Sequence, residues 1–502
     1  MSGPGMSPWR EILGGGRHVE ARPWPRFVLD PIRWSRMLQA LEPGVALLGL
    51  WAEAEMVHAA FLDEGALDVV LVSVPAPEGR YPALSPLRPA AAWFERAARD
   101  LTGLEAEGGL DARPWLDHGR WPLQRPLSAR PVRAAVEPPA MEFLPVEGEG
   151  IHAIPVGPIH AGIIEPGHFR FHVQGEIIVR LEARLGYLHK GVLSLIHGKS
   201  PRAAARFAAR LSGDSTVAHA TAFARAAEAA LGVEVPSRAL AIRAAMLELE
   251  RLHNHLNDMG FIANDAAFVV IHARMGVLRE GLLRAQLLAF GSRLMMDRVQ
   301  PGGVAQDLEA EGIAALLDAL ETIAAELPVL LSHYENHASL QDRVLGTGTT
   351  GAELLRAFAP GGVVGRAAGR GFDARLLTGE LSPETLIRQA AGDVDARWRQ
   401  RYAEAHQSIA MLRAQLAGLP EGALHVSLPH AAGEGMALVE GFRGECLAWM
   451  RFDDGGLIEA CFLRDPSWLH WPVLEGAVIG DIVADFPLIN KSINGSYSGV
   501  DL

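Results

Sequence analysis

Hydrophobic positions take three textures along the chain. Near the start they form short runs, Val45-Ala46-Leu47-Leu48-Gly49-Leu50-Trp51 and Val69-Val70-Leu71-Val72-Ser73-Val74. The second is β-branched and predicts a strand. Pro75, Pro77, Pro82, Pro86 and Pro89 follow, and residues 90–102 have helical composition that stops at Gly103. A second texture begins near Ile151. Phe169-Arg170-Phe171-His172-Val173 and Glu176-Ile177-Ile178-Val179-Arg180-Leu181 flank Gln174-Gly175, which predicts a hairpin. Residues 200–331 then read as helix. In 238–259, Ile242, Met246, Leu249, His253 and Leu256 recur at spacings of three and four, the stripe of a bundle core. Another helix is predicted over 383–416. Strand character returns in the last 80 or so residues, where Leu447-Ala448-Trp449-Met450-Arg451-Phe452 and Leu457-Ile458-Glu459-Ala460-Cys461-Phe462 flank Asp453-Asp454-Gly455-Gly456, a second hairpin signal.

The polar stretches divide the chain. Residues 1–20 are rich in Gly and Arg and predict a mobile arm. Gly, Pro and Arg recur over 103–145, including Arg120-Trp121-Pro122 and Glu137-Pro138-Pro139, and 125–145 reads as an interdomain linker.

Composition narrows the class. The chain has 502 residues, 49% hydrophobic and 21% charged, which excludes a disordered or fibrous protein. Forty-six Lys and Arg against 59 Asp and Glu give a net charge of -13, a poor balance for nucleic-acid binding. The two cysteines, Cys446 and Cys461, exclude a disulfide scaffold, a four-cysteine zinc site and an iron–sulfur cluster held by this chain alone. No apolar run is long enough to span a bilayer. The start, Met1-Ser2-Gly3-Pro4-Gly5, lacks a secretory signal. A chain that is soluble, or that sits on a membrane complex from one side, is expected.

Local motifs name no reaction. Gly365-x-x-x-Gly369-x-Gly371 has neither the Lys-Ser/Thr of a P-loop nor dinucleotide spacing. His253 and His255 are two apart, which on a helix separates them and argues against a shared zinc. Gly433-Glu434-Gly435 on its own predicts a turn.

The ordered set of motifs is more specific. Gly157-Pro158-Ile159-His160-Ala161-Gly162-Ile163-Ile164-Glu165-Pro166-Gly167-His168, Leu185-Gly186-Tyr187-Leu188-His189-Lys190-Gly191, Glu248-Leu249-Glu250-Arg251-Leu252-x-x-His255, Ala263-Asn264-Asp265 and Arg443-Gly444-Glu445 resemble the large subunits of membrane-bound group 4 nickel–iron hydrogenases. That family is homologous to the 49-kDa subunit of respiratory complex I. Tyr81-Pro82-Ala83-Leu84-Ser85-Pro86, Trp93-Phe94-Glu95-Arg96 and Arg113-Pro114-Trp115-Leu116 resemble, more loosely, the 30-kDa subunit. The fusion is familiar from hydrogenase-4 and formate hydrogenlyase subunits. The resemblance implies an α+β chain: an N-terminal α/β 30-kDa-like domain over 21–135, then over 150–502 a mainly helical bundle with small flanking antiparallel sheets.

Departures from the family carry the functional expectation. A nickel–iron centre is held by four thiolates from two Cys-x-x-Cys pairs, because soft anionic sulfur suits nickel. The matching positions here are Ser212 and Ser215, then Ser467 and His470. The resemblance therefore implies a chain with no nickel and no cofactor of its own. The cavity would take a quinone or another acceptor, with electrons from a 4Fe-4S cluster on a partner small subunit. In complex I a loop histidine and a tyrosine donate hydrogen bonds to the quinone. His160 and His168 occupy that loop, but none of Tyr81, Tyr187, Tyr334, Tyr402 and Tyr497 falls in 206–216, where the tyrosine is expected. Glu165 is either a proton relay or a loop acid. Asp214 is either a proton acceptor or a helix cap, and the cap is the preferred reading. Arg366 either orients an anionic group or pairs with Asp373, and the pair is preferred. Two functions follow: an electron-transfer subunit of a membrane-associated oxidoreductase, or a non-catalytic scaffold of the same complex. An active hydrogenase is disfavoured. The implied partners are an iron–sulfur small subunit and antiporter-like membrane subunits, with this chain peripheral on the cytoplasmic side of a bacterial inner membrane.

Overall fold

The computed structural model describes residues 7–128, 131–133, 141–162 and 164–502. Residues 1–6 of the expected arm, Glu137-Pro138-Pro139 of the expected linker, and Ile163 lie outside the described residues.

The N-terminal part is a five-stranded sheet in the order β1-β2-β5-β4-β3. Its strands are β1 (Arg17–Val19), β2 (Arg26–Val28), β3 (Val45–Glu53), β4 (Met56–Asp63) and β5 (Asp68–Pro75). Where an arm is expected, α1 (Pro8–Gly14) forms ahead of β1. Pro8 suits the first helical turn, and Trp9 and Leu13, four apart, are buried on one face. The Gly-rich composition hid this anchor. α2 (Pro31–Ala40) is capped by Asp30, and α3 (Ala92–Thr102) ends at Gly103, whose φ of 86° a side chain would strain.

A three-stranded antiparallel sheet opens the second part: β6 (Ile151–Val156), β7 (His168–Gln174) and β8 (Ile177–Arg184). The hairpin predicted around Gln174-Gly175 is β7–β8. The helical region follows as α4 (Thr216–Leu231), α5 (Ser237–Asp265), α6 (Val269–Phe290), α7 (Ala310–Glu335) and α8 (Val394–Ala417). α5 packs against both α6 and α8. The helix expected from 383 starts only at Val394, where Asp393 accepts from the Ala396 N–H at 2.7 Å. The last sheet, β9 (Gly433–Gly441), β10 (Gly444–Phe452) and β11 (Ile458–Arg464), contains the second predicted hairpin. It is followed by α9 (Ser467–Ala477) and α10 (Phe486–Ile493).

Gly433-Glu434-Gly435 is strand, not turn. α4 lies so close to β9 that a Cβ on Gly435 would meet the Ala226 carbonyl oxygen at 2.3 Å. The same strand ties the two ends of the chain together. Glu434 accepts from Arg26 at 2.7 and 2.8 Å and from the Trp449 indole at 3.0 Å, all buried. Trp51 stacks on Phe462 at 4.7 Å, and Phe94 on Trp468 at 4.8 Å. The apolar core therefore runs unbroken from the N-terminal sheet into the C-terminal one.

Candidate functional site

A cleft of about 570 Å³ opens between the loop joining β6 to β7, the turn before α4, the end of α5, and the segment from α10 to Ser498. Its shape begins with two glycines. A Cβ on Gly157 would meet the Gly167 carbonyl oxygen at 2.2 Å, and one on Gly167 would meet the Tyr497 ring at 2.6 Å. The loop thus folds flat against the tail. His160 closes it by donating from Nε2 to the Gly167 carbonyl at 2.7 Å. Glu165 accepts from the Ser498 N–H at 3.1 Å.

His160, Glu165, Ser212 and Asp214 all line this cleft, so four of the residues singled out from sequence come together. Ser212 is one of the four positions that the resemblance matches to nickel-binding thiolates of hydrogenases. Its hydroxyl donates to Asp214 at 2.9 Å and lies 2.8 Å from the Ser496 hydroxyl. Ser496 in turn donates from its N–H to the Ser467 hydroxyl at 2.8 Å. Ser215 receives a bond from Arg443 at 3.1 Å. His470 sits deeper, 3.2 Å from the Gly361 carbonyl, and burial pushes its imidazole down to about 4. Ser215, Ser467 and His470 are buried and do not line the cleft. Three hydroxyls already bonded to protein, and one imidazole turned to a backbone carbonyl, do not match the four anionic sulfurs a nickel–iron centre takes.

Asp214 is not a cap. Arg443 grips it bidentately at 2.7 and 2.6 Å. Burial works against the charge, yet the guanidinium holds Asp214 below the ordinary carboxylate range. The start of α4 is served instead by Glu250, which accepts from the N–H groups of Val217 and Ala218 at 2.6 and 2.9 Å. Burial raises Glu250 to about 8.

Three predicted residues lie elsewhere. His168 starts β7 and faces Phe143, with Nδ1 3.3 Å from the Gly157 carbonyl. Side chains alternate along a strand, so Phe169 takes the cleft side and His168 the other. Arg366 and Asp373 lie in the core, 3.1 Å apart, where Arg366 also meets Glu404 at 2.9 Å and Glu440 at 2.7 Å. The preferred pairing is present, but neither residue lines the cleft. Conversely, Asp258, Asp265, Arg443, Lys491, Ser496 and Tyr497 line it without having been singled out for a role there. Asp265 and Arg443 stand inside motifs that carry the resemblance, which was the available signal. Tyr497 sits beside Asn490, and burial pushes its phenol up to about 12. A larger recess of about 1080 Å³, lined by Arg113, Arg184 and His189 among others, contains none of the predicted residues.

Fold and cleft together define a large subunit of the kind shared by nickel–iron hydrogenases and complex I. Residues 267–432 match the family described as respiratory-chain NADH dehydrogenase, 49 Kd subunit; 190–259 match nickel-dependent hydrogenase; and 52–134 match the 30 Kd subunit. Formate hydrogenlyase subunit 5 of Escherichia coli (strain K12) is 30% identical over 450 residues, covering 86% of this chain and 79% of that protein. Hydrogenase-4 component G of the same organism is 32% identical over 445 residues, covering 86% and 78%. An NADH-quinone oxidoreductase subunit of Dehalococcoides mccartyi is 30% identical over 363 residues, covering 69% of this chain and 97% of that one. A chain of the archaeal membrane-bound sulfane sulfur reductase shares the fold, with a TM-score of 0.64 at 24% identity over 72% of this chain and 100% of its own. The chain belongs to the family of hydrogenase and complex I large subunits, in the fused form with a 30-kDa-like part ahead of the 49-kDa-like part. Among the described residues no helix is long and apolar enough to cross a membrane.

Proposed function

We propose that this chain is the electron-transfer large subunit of a membrane-bound oxidoreductase, and that its cleft reduces a quinone without a nickel–iron centre. The observation that carries the proposal is the serine and imidazole set at the thiolate positions, bonded into the protein beside an open cleft. Electrons would come from a 4Fe-4S cluster on a small partner subunit. Reduction of a quinone to a hydroquinone takes two electrons and two protons. The cleft offers a phenol at Tyr497 and an ammonium at Lys491 as donors to carbonyl oxygens, with carboxyl groups at Glu165 and Asp265 also lining it. Burial raises Asp265 above the ordinary range, which suits a group that holds and passes a proton. Tyr497 supplies from the tail the phenol that the 206–216 segment lacks. The assembly would place this chain against antiporter-like subunits on the cytoplasmic face of a bacterial membrane. The test is inhibitor-sensitive quinone reduction by the purified complex. Tyr497→Phe is expected to lower it at least about tenfold while the cluster is still reduced; an unchanged rate contradicts the reading.

One observation favours the scaffold reading: His160 spends its Nε2 proton on the Gly167 carbonyl, inside the loop. A scaffold predicts that His160→Ala disturbs assembly, and that no quinone is reduced by the intact complex.

A further inference from the structure

A guanidinium group carries five N–H donors. Arg443 spends four of them on the protein. Nε donates to the Asn494 carbonyl at 2.6 Å, and Nη1 donates to Asp214 at 2.7 Å and to the Ser215 hydroxyl at 3.1 Å. Nη2 donates once, to the other Asp214 oxygen at 2.6 Å. Its second N–H has no partner among the described residues, and Arg443 lines the cleft. The guanidinium also rests on the Phe442 ring, 4.4 Å from its centroid. An aromatic ring under the group and four spent donors leave one N–H for a molecule in the cleft.

The direction of that N–H is set from behind. Asp214 alone is a soft anchor, because 44% of its side chain is accessible and water competes for the pair. The carbonyl on Nε is a firmer one. Asn494 ends α10 in the left-handed conformation, with φ 56°, and a carbonyl at a helix end has no partner within the helix. Asn494 is itself held: its side-chain amide donates to Asp258 Oδ1 at 2.9 Å. Asp258 is buried on α5, and its other oxygen accepts from Arg401 Nε on α8 at 3.0 Å. The charges of Arg279 on α6 and of Arg443 act on Asp258 as well. Each step from α8 to the cleft is thus a direct hydrogen bond: Arg401 to Asp258, Asn494 to Asp258, Arg443 to Asn494. A long side chain must lose rotamer freedom to be aimed, and this clamp takes that loss at folding rather than during a reaction.

We propose that Asn494 and Asp258 are positioning residues, which aim the free N–H of Arg443 at an oxygen of the quinone as it is reduced. This rests on the reading that a quinone is reduced in the cleft. Two electrons come from the partner's 4Fe-4S cluster, and each carbonyl oxygen ends with one proton drawn from solvent. Negative charge that reaches an oxygen ahead of its proton is met by a fixed donor, and the guanidinium keeps its own proton throughout. Asn494 and Asp258 act only through Arg443.

The experiment measures quinone reduction by the assembled complex. Asn494→Gly removes the side-chain amide but keeps the carbonyl and suits the left-handed helix end, so the fold is preserved. It should lower kcat at least about tenfold and leave KM for the quinone within about twofold, with the partner cluster still reduced at its normal rate. Asp258→Ala breaks the same bond from the α5 side and should give the same split, so a fold defect at one position does not decide the outcome. Arg443→Lys keeps the charge and loses the fork, and should lower kcat by about a hundredfold. In that background Asn494→Gly should change kcat by less than about twofold, since nothing is left to aim; a merely structural role costs the same factor in both backgrounds. A kcat within about twofold of wild type in Asn494→Gly and Asp258→Ala overturns the clamp and leaves the cleft function standing. So does an Asn494→Gly loss that persists undiminished beside Arg443→Lys. A wild-type complex that reduces no quinone overturns the cleft reading, and the clamp with it.

Discussion

Arg443 is the residue whose removal tests the electrostatics of the cleft most cleanly. It holds Asp214 through two bonds, donates to the Ser215 hydroxyl, and caps the Asn494 carbonyl at 2.6 Å. Arg443→Leu removes all of these. Losing one partner of a fully buried ion pair costs about 3–5 kcal/mol. Asp214 opens toward the cleft with 44% of its side chain accessible, so water recovers part of that, and about 1–3 kcal/mol is expected from the pair. The uncharged acceptors add about 0.5–1.5 kcal/mol. Only the Asp214 part depends on pH. Its native value lies below the ordinary one, so its stabilisation is complete above the unfolded value of about 3.9 and fades as pH falls through the folded value. The penalty of Arg443→Leu should therefore be largest near neutral pH and shrink below about pH 4. Urea unfolding of wild type and variant at neutral and acid pH measures it. Equal penalties at both, or a neutral-pH penalty under about 0.5 kcal/mol, would refute the reasoning.

Other consequences follow from single contacts. Gly435→Ala places a methyl group against the Ala226 carbonyl oxygen and the Ala230 amide nitrogen, both backbone, so α4 must move off the sheet; calorimetry should show a loss of about 1–3 kcal/mol, and an unchanged melting temperature contradicts the packing. Glu250 is held protonated near neutrality, so native stability should fall as pH rises from about 4.3 toward 8. Glu250→Gln should flatten that slope, and an unaltered slope rules out Glu250 as its source. His168→Ala, outside the cleft, should leave quinone turnover within about twofold of wild type, while Tyr497→Phe does not. Equal losses in both would place the site wrongly.

Much of the fold was legible because its signals are local. Gln174-Gly175 and Asp453-Asp454-Gly455-Gly456 sit between runs of strand character, and both hairpins form there. The stripe through Ile242, Met246 and Leu249 is buried as its spacing predicts. The failures are equally physical. Ser-Asp before a helix is a local capping signal, but Arg443, 229 residues away, takes Asp214 instead. The glycines of Gly433-Glu434-Gly435 serve a close helix approach that only the tertiary structure reveals. His168 shares a loop motif with His160, yet strand alternation begins at that residue and turns it away. The cleft walls come from segments near residues 160, 214, 260, 443 and 490–498, so no window of sequence contains them. The family motifs bring in His160, Glu165, Asp265 and Arg443, but Tyr497 stands outside every one of them.

Hydroxyl and imidazole groups in place of nickel ligands, beside a cleft that passes electrons to an organic acceptor, would leave the assembled complex without nickel. Metal analysis of the intact purified complex tests it most directly. Iron from the partner's cluster with no stoichiometric nickel is expected, in a preparation that reduces quinone. One nickel per copy of this chain would contradict it.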